Sequence, residues 1–151
     1  MGPVPLFRLS ARLYTRGHLR LARLVKAVNF ALFRVLIPAE VKAGPNLRFG
    51  HYGTGVVIHP NTRIGSDVYI HHNVTLGTDT DFTDPAAGWM VVGDRVSIGA
   101  GAIVLGPIKV GDNAVIGAGA VVTADVPPGG VVVGVPGRVI SHDGKAMPRH
   151  P

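Results

Sequence analysis

Histidines are the side chains of this sequence best suited to chemistry near neutral pH. Four of them, His51, His59, His71 and His72, fall within one short stretch. Imidazole changes its charge between about pH 5 and 8, so it can take a proton from a hydroxyl or amine acceptor as a general base. The sequence contains no cysteine, which excludes a thiol nucleophile, thiolate metal ligands and disulfides. These residue types point to proton transfer by histidine.

The histidines lie at the start of a repeat of six residues. Residues 58–127 divide into the rows IHPNTR, IGSDVY, IHHNVT and LGTDTD and, after an interruption, VGDRVS, IGAGAI, VLGPIK, VGDNAV, IGAGAV and VTADVP. The first position of every row is aliphatic, and the fifth is small or β-branched. Self-similarity at a short fixed period is typical of a solenoid.

A six-residue period has a direct structural meaning. Each row forms one short strand and one turn, and three rows close a triangular coil. The first side chain points into the prism, and the fifth must be small or β-branched to fit beside it. Gly, Asn and Asp suit the corners, where the backbone turns sharply. The pattern predicts a mainly β fold, a parallel solenoid whose stacked coils share a one-dimensional core.

The chain before the repeat differs in composition and charge. Residues 1–38 alternate basic and apolar residues with a helical period, and Gly17 is expected to divide them into two helices, the second ending at Pro38. Residues 1–50 carry nine Lys or Arg against one acid, Glu40. This basic N-terminal segment suits peripheral contact with an anionic membrane surface, an acidic ligand, or a solvated helix face. Nucleic-acid binding is not expected, since no known motif accompanies the charge.

We expect three segments in the chain. Residues 1–38 form the helical N-terminal segment, residues 39–140 the β-helix domain, and residues 141–151 a tail. The polar stretch that interrupts the repeat is expected to be an inserted loop, 78–91, and loops leaving a rigid scaffold often carry function. No signal peptide and no apolar stretch of bilayer length is seen, so a cytoplasmic location is expected.

The stretch RFGHYGTGVVIHPNTRIGSDVYIHHNVTLG, residues 48–77, resembles the catalytic region of the serine acetyltransferase family of hexapeptide-repeat acyltransferases. The resemblance covers residues 40–140 and is strongest to the short, exopolysaccharide-associated type. It implies a left-handed parallel β-helix, a homotrimer, and acetyl-CoA as co-substrate for acetyl transfer to a hydroxyl. An amine acceptor on an amino sugar and a non-catalytic scaffold are the alternatives.

The same resemblance implies roles for individual residues. His51 would remove the acceptor's proton, and the family's small acetyl-CoA contacts carry over to Gly77, Thr78, Ala100 and Ala118. An arginine after the last coil, Arg138, would meet a CoA phosphate.

This sequence departs from the family pattern around the proposed base. The spacing after His51 is one residue longer than usual, which predicts that His51 lies in a bulge or is displaced. The family's acid before the base is here Gly50, and its second histidine and its arginine would fall near Trp89 and Gly88. The acetyl-CoA half of the resemblance is therefore firmer than the L-serine half, and a sugar hydroxyl stays open as acceptor.

The remaining histidines are given other roles. His59, before Pro60, is expected to be a solvated turn residue. His71 and His72 are expected on one strand, facing opposite sides, with His72 near a subunit interface. A three-histidine zinc site would need histidines on later coils, where the repeat has none, so no metal is expected.

Overall fold

Two α-helices precede a stack of short strands in the computed structural model, which describes residues 2–78 and 89–141. Helix α1 spans Pro3–Thr15 and helix α2 spans Leu19–Phe33. The second helix ends before Pro38, contrary to the sequence expectation. Arg34 adopts a left-handed conformation with φ 56° and its N–H still bonds to the helix, so the chain turns there.

The helical pair is anchored to the first coil of the solenoid. Phe7 is 1% exposed and belongs to the same apolar core cluster as the solenoid's inward side chains. The Arg8 guanidinium donates hydrogen bonds to the carbonyl oxygens of Ala43 and Gly44. The helices are therefore packed on the solenoid. Within the described residues, no helix is long and apolar enough to cross a membrane.

Fourteen short strands in the described part of the chain follow the helices and build the solenoid. In chain order they are β1 (Lys42–Ala43), β2 (Arg48–Phe49), β3 (Val57–Ile58), β4 (Arg63–Ile64), β5 (Tyr69–Ile70), β6 (Thr75–Gly77), β7 (Val91–Val92), β8 (Ser97–Ile98), β9 (Ile103–Leu105), β10 (Lys109–Val110), β11 (Val115–Ile116), β12 (Val121–Val122), β13 (Val131–Val133) and β14 (Arg138–Ser141). A tight turn, Gly50–Gly53, lies between β2 and β3.

Three parallel sheets form the faces of the prism. The first sheet is β1-β4-β7-β10, the second is β2-β5-β8-β11-β13 with β14 antiparallel at its end, and the third is β3-β6-β9-β12. From β1 to β12 successive strands visit the sheets in turn, so every third strand stacks on its predecessor. Between β12 and β13 the first sheet is extended only by an isolated bridge from Val126 to Val110. An isolated bridge between Leu36 and Val57 extends the third sheet by one further coil.

The predicted inward columns are confirmed. The first-position residues, none more than 4% exposed, are Ile58, Ile64, Ile70, Leu76, Val92, Ile98, Val104, Val110, Ile116 and Val122. The fifth-position residues, none more than 6% exposed, are Thr62, Val68, Val74, Val96, Ala102, Ile108, Ala114, Ala120 and Val126. Thr80 and the rest of 79–88, which make up most of the expected loop, lie outside the described residues, as does the tail from 142 onward.

Close stacking of the coils explains the glycines at the second position. A Cβ added to Gly99 would lie 2.5 Å from the backbone nitrogen of Ala118 in the next coil. Gly101, in the same corner, has φ +68° but nothing within 4 Å of its added Cβ. The first glycine is required by the neighbouring backbone and the second by its own conformation.

Replacing Gly99 by Ala should therefore destabilise the protein more than replacing Gly101. We expect Gly99→Ala to lower the free energy of unfolding by about 3 kcal/mol, because backbone atoms cannot rotate out of the way. Gly101→Ala should cost about 1 kcal/mol, the strain of a left-handed alanine. Urea unfolding of both variants measures the difference, and a larger loss for Gly101→Ala would contradict this account of the stacking.

Candidate functional site

The edge between the second and third sheets carries His51. Four corners stack along this edge, and they lie between the strand pairs β2–β3, β5–β6, β8–β9 and β11–β12. The first corner comprises residues 50–56, whereas the others comprise 71–74, 99–102 and 117–120. The first corner is therefore three residues longer than the corners below it, and His51 lies in the extension. Of the two alternatives that the spacing predicted, a bulge or a displacement, this extension corresponds to a bulge relative to the other corners of the same chain.

The extension is a tight turn in an uncommon conformation. His51 and Tyr52 both have left-handed backbone conformations, with φ 50° and 58°. This conformation costs a residue other than glycine about 1–2 kcal/mol, because its Cβ approaches the following carbonyl oxygen. Thr54 fixes the turn, since its hydroxyl and its N–H donate to the carbonyl oxygen of His51 at 2.9 and 3.2 Å. The Tyr52 ring stacks on Phe33 of helix α2 at 6.1 Å between centroids. The His51 side chain is exposed.

Hydrogen bonds between the corners define which residues are equivalent. The N–H groups of Asn73, Gly101 and Gly119 donate to the carbonyl oxygens of Thr54, His72 and Ala100, at 2.8, 3.0 and 2.9 Å. The same position one coil further on is Ala118. Thr54, His72, Ala100 and Ala118 therefore form one column along this edge. Two of the predicted acetyl-CoA contacts, Ala100 and Ala118, lie in the same column, on the coils below His51.

His72 lies against His51. The two imidazole rings meet edge to face, with centroids 4.9 Å apart and planes 89° apart. The Nδ1 atom of His72 is buried and has no hydrogen-bond partner among the described residues. His71 is placed elsewhere, with its ring 4.6 Å from that of Tyr69. Both histidines follow β5 in the corner and do not lie on a strand, so the expectation of strand alternation was wrong.

Gly77 and Thr78 occupy the opposite edge of the third sheet. They line an apolar cleft of about 430 Å³ that His59, Leu105 and Lys26 of helix α2 also line. A Cβ on Gly77 would lie 3.1 Å from the Leu105 side chain, so the cleft is already close-packed there. The structure thus separates the predicted acetyl-CoA contacts into two groups, one on each edge of the third sheet.

Arg138 lies at the end of the His51 edge. It begins β14 and pairs with Val133, and its exposed guanidinium donates to the carbonyl oxygen of Gly137 at 3.1 Å. The Gly137 N–H in turn donates to Val121, the first residue of β12, at 2.7 Å. This bond holds the turn next to the corner that contains Ala118.

His59 is not the solvated turn residue that the sequence suggested. It is partly buried in the cleft, and its Nδ1 accepts a hydrogen bond from the Asn61 N–H at 3.2 Å. Burial lowers the pKa of His59, because the charged imidazolium loses hydration there. Burial therefore favours the neutral imidazole of His59.

The position where the family's second histidine would fall has a different contact. The Arg63 guanidinium lies 4.6 Å above the Trp89 ring, a cation–π pair at the border of the inserted loop. No group of three or more His, Asp or Glu side chains in residues 2–78 and 89–141 is arranged to hold a metal ion.

Sequence reasoning missed the contact between His51 and His72. The signal was present in the rows, because His72, Ala100 and Ala118 all occupy the third position of their hexapeptides. The turn that brings His51 over this column depends on the extension of the first corner, and the row pattern begins only after that corner.

Comparison with known proteins relates the repeat and the chain to characterised enzymes. Residues 90–124 match the family described as bacterial transferase hexapeptide (six repeats). Over 142 residues the chain is 44% identical to the serine acetyltransferase of Mycobacterium tuberculosis H37Rv, a match that covers 88% of this chain and 57% of that protein.

Solved structures extend the comparison to the fold. The serine acetyltransferase of Neisseria gonorrhoeae superimposes with a TM-score of 0.87 and 36% identity, over 95% of this chain and 55% of that one. A serine acetyltransferase in complex with CoA matches with a TM-score of 0.83 and 33% identity, over 91% of this chain and 55% of that one.

These matches confirm the predicted left-handed parallel β-helix with two helices before it. The chain spans a little over half the length of the relatives it matches. In its repeat, its fold and its sequence, the chain is similar to the hexapeptide-repeat serine acetyltransferases over the part of their length that it spans.

Proposed function

We propose that the protein is an acetyl-CoA-dependent O-acetyltransferase in which His51 is the general base. The observation that carries the proposal is the arrangement along one edge, where His51 lies above the column of His72, Ala100 and Ala118 and Arg138 lies at its far end. Small side chains leave room for a pantetheine arm along this edge, and the exposed Arg138 suits a CoA phosphate. The serine acetyltransferase solved with CoA supports acetyl-CoA as the donor.

Direct transfer suits these residues. The acceptor oxygen attacks the thioester carbonyl carbon while His51 takes its proton, and a tetrahedral oxyanion forms. The C–S bond then breaks, and the imidazolium returns the proton to the departing CoA thiolate. Because the sequence has no cysteine and His51 serves as base, no acyl-enzyme is expected.

The acceptor is proposed as a class. The relatives are named serine acetyltransferases, which favours a hydroxyl on an amino acid. The resemblance places the family's second histidine near Trp89, and the Trp89–Arg63 pair found there favours another hydroxyl compound, such as a sugar or polysaccharide precursor of the exopolysaccharide-associated type. An amino-sugar acceptor would use the same base, and a non-catalytic scaffold would bind no CoA.

Assembly as a homotrimer is supported by the third sheet. Its outward side chains include Val57 and Ile103, which are 42% and 36% exposed. Packing this face near a neighbouring solenoid would bring the Gly77 edge of one subunit towards the His51 edge of another. A site between subunits would then unite the two groups of acetyl-CoA contacts.

Replacement of His51 by Ala should abolish transfer. We expect acceptor-dependent CoA release from acetyl-CoA to fall at least about 100-fold, because no base would then remove the proton from the attacking hydroxyl. A thiol assay with serine, sugars and amino sugars measures the rate. His71→Ala is the matched control, since that ring packs against Tyr69. Full activity of His51→Ala would refute the assignment of the base.

A larger side chain at Ala118 should block binding of acetyl-CoA. Ala118→Leu is expected to weaken CoA binding at least about tenfold, because the longer side chain would fill the path of the pantetheine arm. Ala118→Ser keeps the residue small and should bind CoA as the wild type does. Calorimetric titration with CoA compares the three proteins, and unchanged binding by Ala118→Leu would place the donor elsewhere.

We also propose peripheral contact of the helical segment with an anionic membrane surface. On α2, Leu21, Leu24, Val28 and Leu32 form one apolar stripe, and each is 41–65% exposed. The first 38 residues contain seven Lys or Arg and no acid. The apolar stripe could enter the membrane–water interface while the basic residues contact lipid phosphates. Repulsion between the basic residues would oppose pairing of this helix with the same helix of another copy.

Vesicle sedimentation tests this contact. The wild type should bind phosphatidylglycerol vesicles and not phosphatidylcholine vesicles, and Leu24→Gln with Leu32→Gln should weaken binding at least about tenfold. Val135→Gln, which changes an exposed apolar side chain of the solenoid, should have no effect. Equal binding to both lipids would contradict the proposal, and a change in sedimentation velocity of the double variant would indicate that the stripe contacts another copy.

A further inference from the structure

His72 occupies the place between the proposed base and the small-residue column. Its corner lies directly between that of Thr54, which holds the His51 turn, and that of Ala100. A pantetheine arm that follows Ala118 and Ala100 towards His51 therefore reaches His72 before it reaches the base. The thioester, which must lie next to the base, would be at the level of His72. This step rests on the function proposed above.

The distance between the two rings allows both of them to reach the same reacting carbonyl group. Their centroids are 4.9 Å apart. In acyl transfer the base lies about 3 Å from the acceptor oxygen, and an oxyanion donor lies about 3 Å from the carbonyl oxygen. Both oxygens are bonded to the same carbon in the tetrahedral intermediate. Two imidazoles in contact can thus each reach one of them.

Burial of one ring nitrogen selects the tautomer of His72. Its Nδ1 is shielded from solvent and has no hydrogen-bond partner among the described residues. A proton on Nδ1 would be a buried N–H without an acceptor, which folded proteins contain more rarely than an under-satisfied acceptor. The neutral ring therefore carries its proton on Nε2. This N–H is the donor that His72 can offer a ligand.

We infer that His72 donates a hydrogen bond from Nε2 to the carbonyl oxygen of the acetyl group. As the acceptor oxygen bonds to the carbonyl carbon, His51 takes the acceptor's proton and the carbonyl oxygen becomes an oxyanion. The His72 N–H stabilises that charge without giving up its proton. When the C–S bond breaks, the carbonyl reforms, and the CoA sulfur takes the proton from His51.

Three variants separate hydrogen bonding from packing. His72→Phe keeps a ring against His51 and removes the donor, and we expect kcat to fall about 100-fold while the KM for acetyl-CoA changes little. His72→Gln restores an N–H and should recover about tenfold of that loss. His71→Gln changes the adjacent histidine, which contacts Tyr69, and should leave kcat unchanged.

A readout without turnover completes the test. With acetyl-CoA labelled with ¹³C at the carbonyl, infrared difference spectra should show a lower carbonyl stretching frequency in the wild type than in His72→Phe. Equal carbonyl frequencies in the two proteins, or full kcat in His72→Phe, would overturn the inference about His72. If the wild type still binds CoA, the proposed function is unaffected by that result. If the wild type binds no CoA in calorimetry, the proposed function fails, and this inference fails with it.

Discussion

The hydrogen-bond ladder between consecutive coils is the constraint on which the rest of the structure depends. Strands of a sheet lie roughly 4.8 Å apart, and each coil must repeat its path at that distance from the last. The bonds from Ser97 to Ala114 and from Gly99 to Ile116, at 3.0 and 2.8 Å, hold two coils in this way. The inward side chains consequently stack in columns, and the corners leave no room for a Cβ at positions such as Gly99.

The same ladder turns each edge of the prism into a row of equivalent positions. On one edge, Thr54, His72, Ala100 and Ala118 follow each other coil by coil. The row can therefore combine larger polar side chains at one end with small side chains at the other. An extended ligand that lies along such an edge meets one residue per coil, which relates the order of residues in sequence to the order of groups along the ligand.

The solenoid core was predictable from sequence because its period is local and repeated ten times. The aliphatic and small columns were assigned correctly, from Ile58 to Val126. The features outside the period were not predictable in the same way. The end of α2 depends on the left-handed Arg34, and the docking of Phe7 depends on contacts distant in sequence. The pairing of His51 with His72 requires a turn whose shape follows from two left-handed residues that are not glycine.

The longer first corner shows how this architecture acquires chemistry. The strands on either side of the corner are held by hydrogen bonds to the next coil. The three additional residues between Gly50 and Thr54 therefore leave both strands in register with it. The extension carries the imidazole outward while the prism beneath it stays regular. In evolutionary terms, reactive groups can be added to a corner or removed from it by short insertions and deletions, and the inherited scaffold need not be rebuilt. Solenoids of this kind that catalyse different reactions would then differ in the lengths of their corners as much as in the identities of their residues.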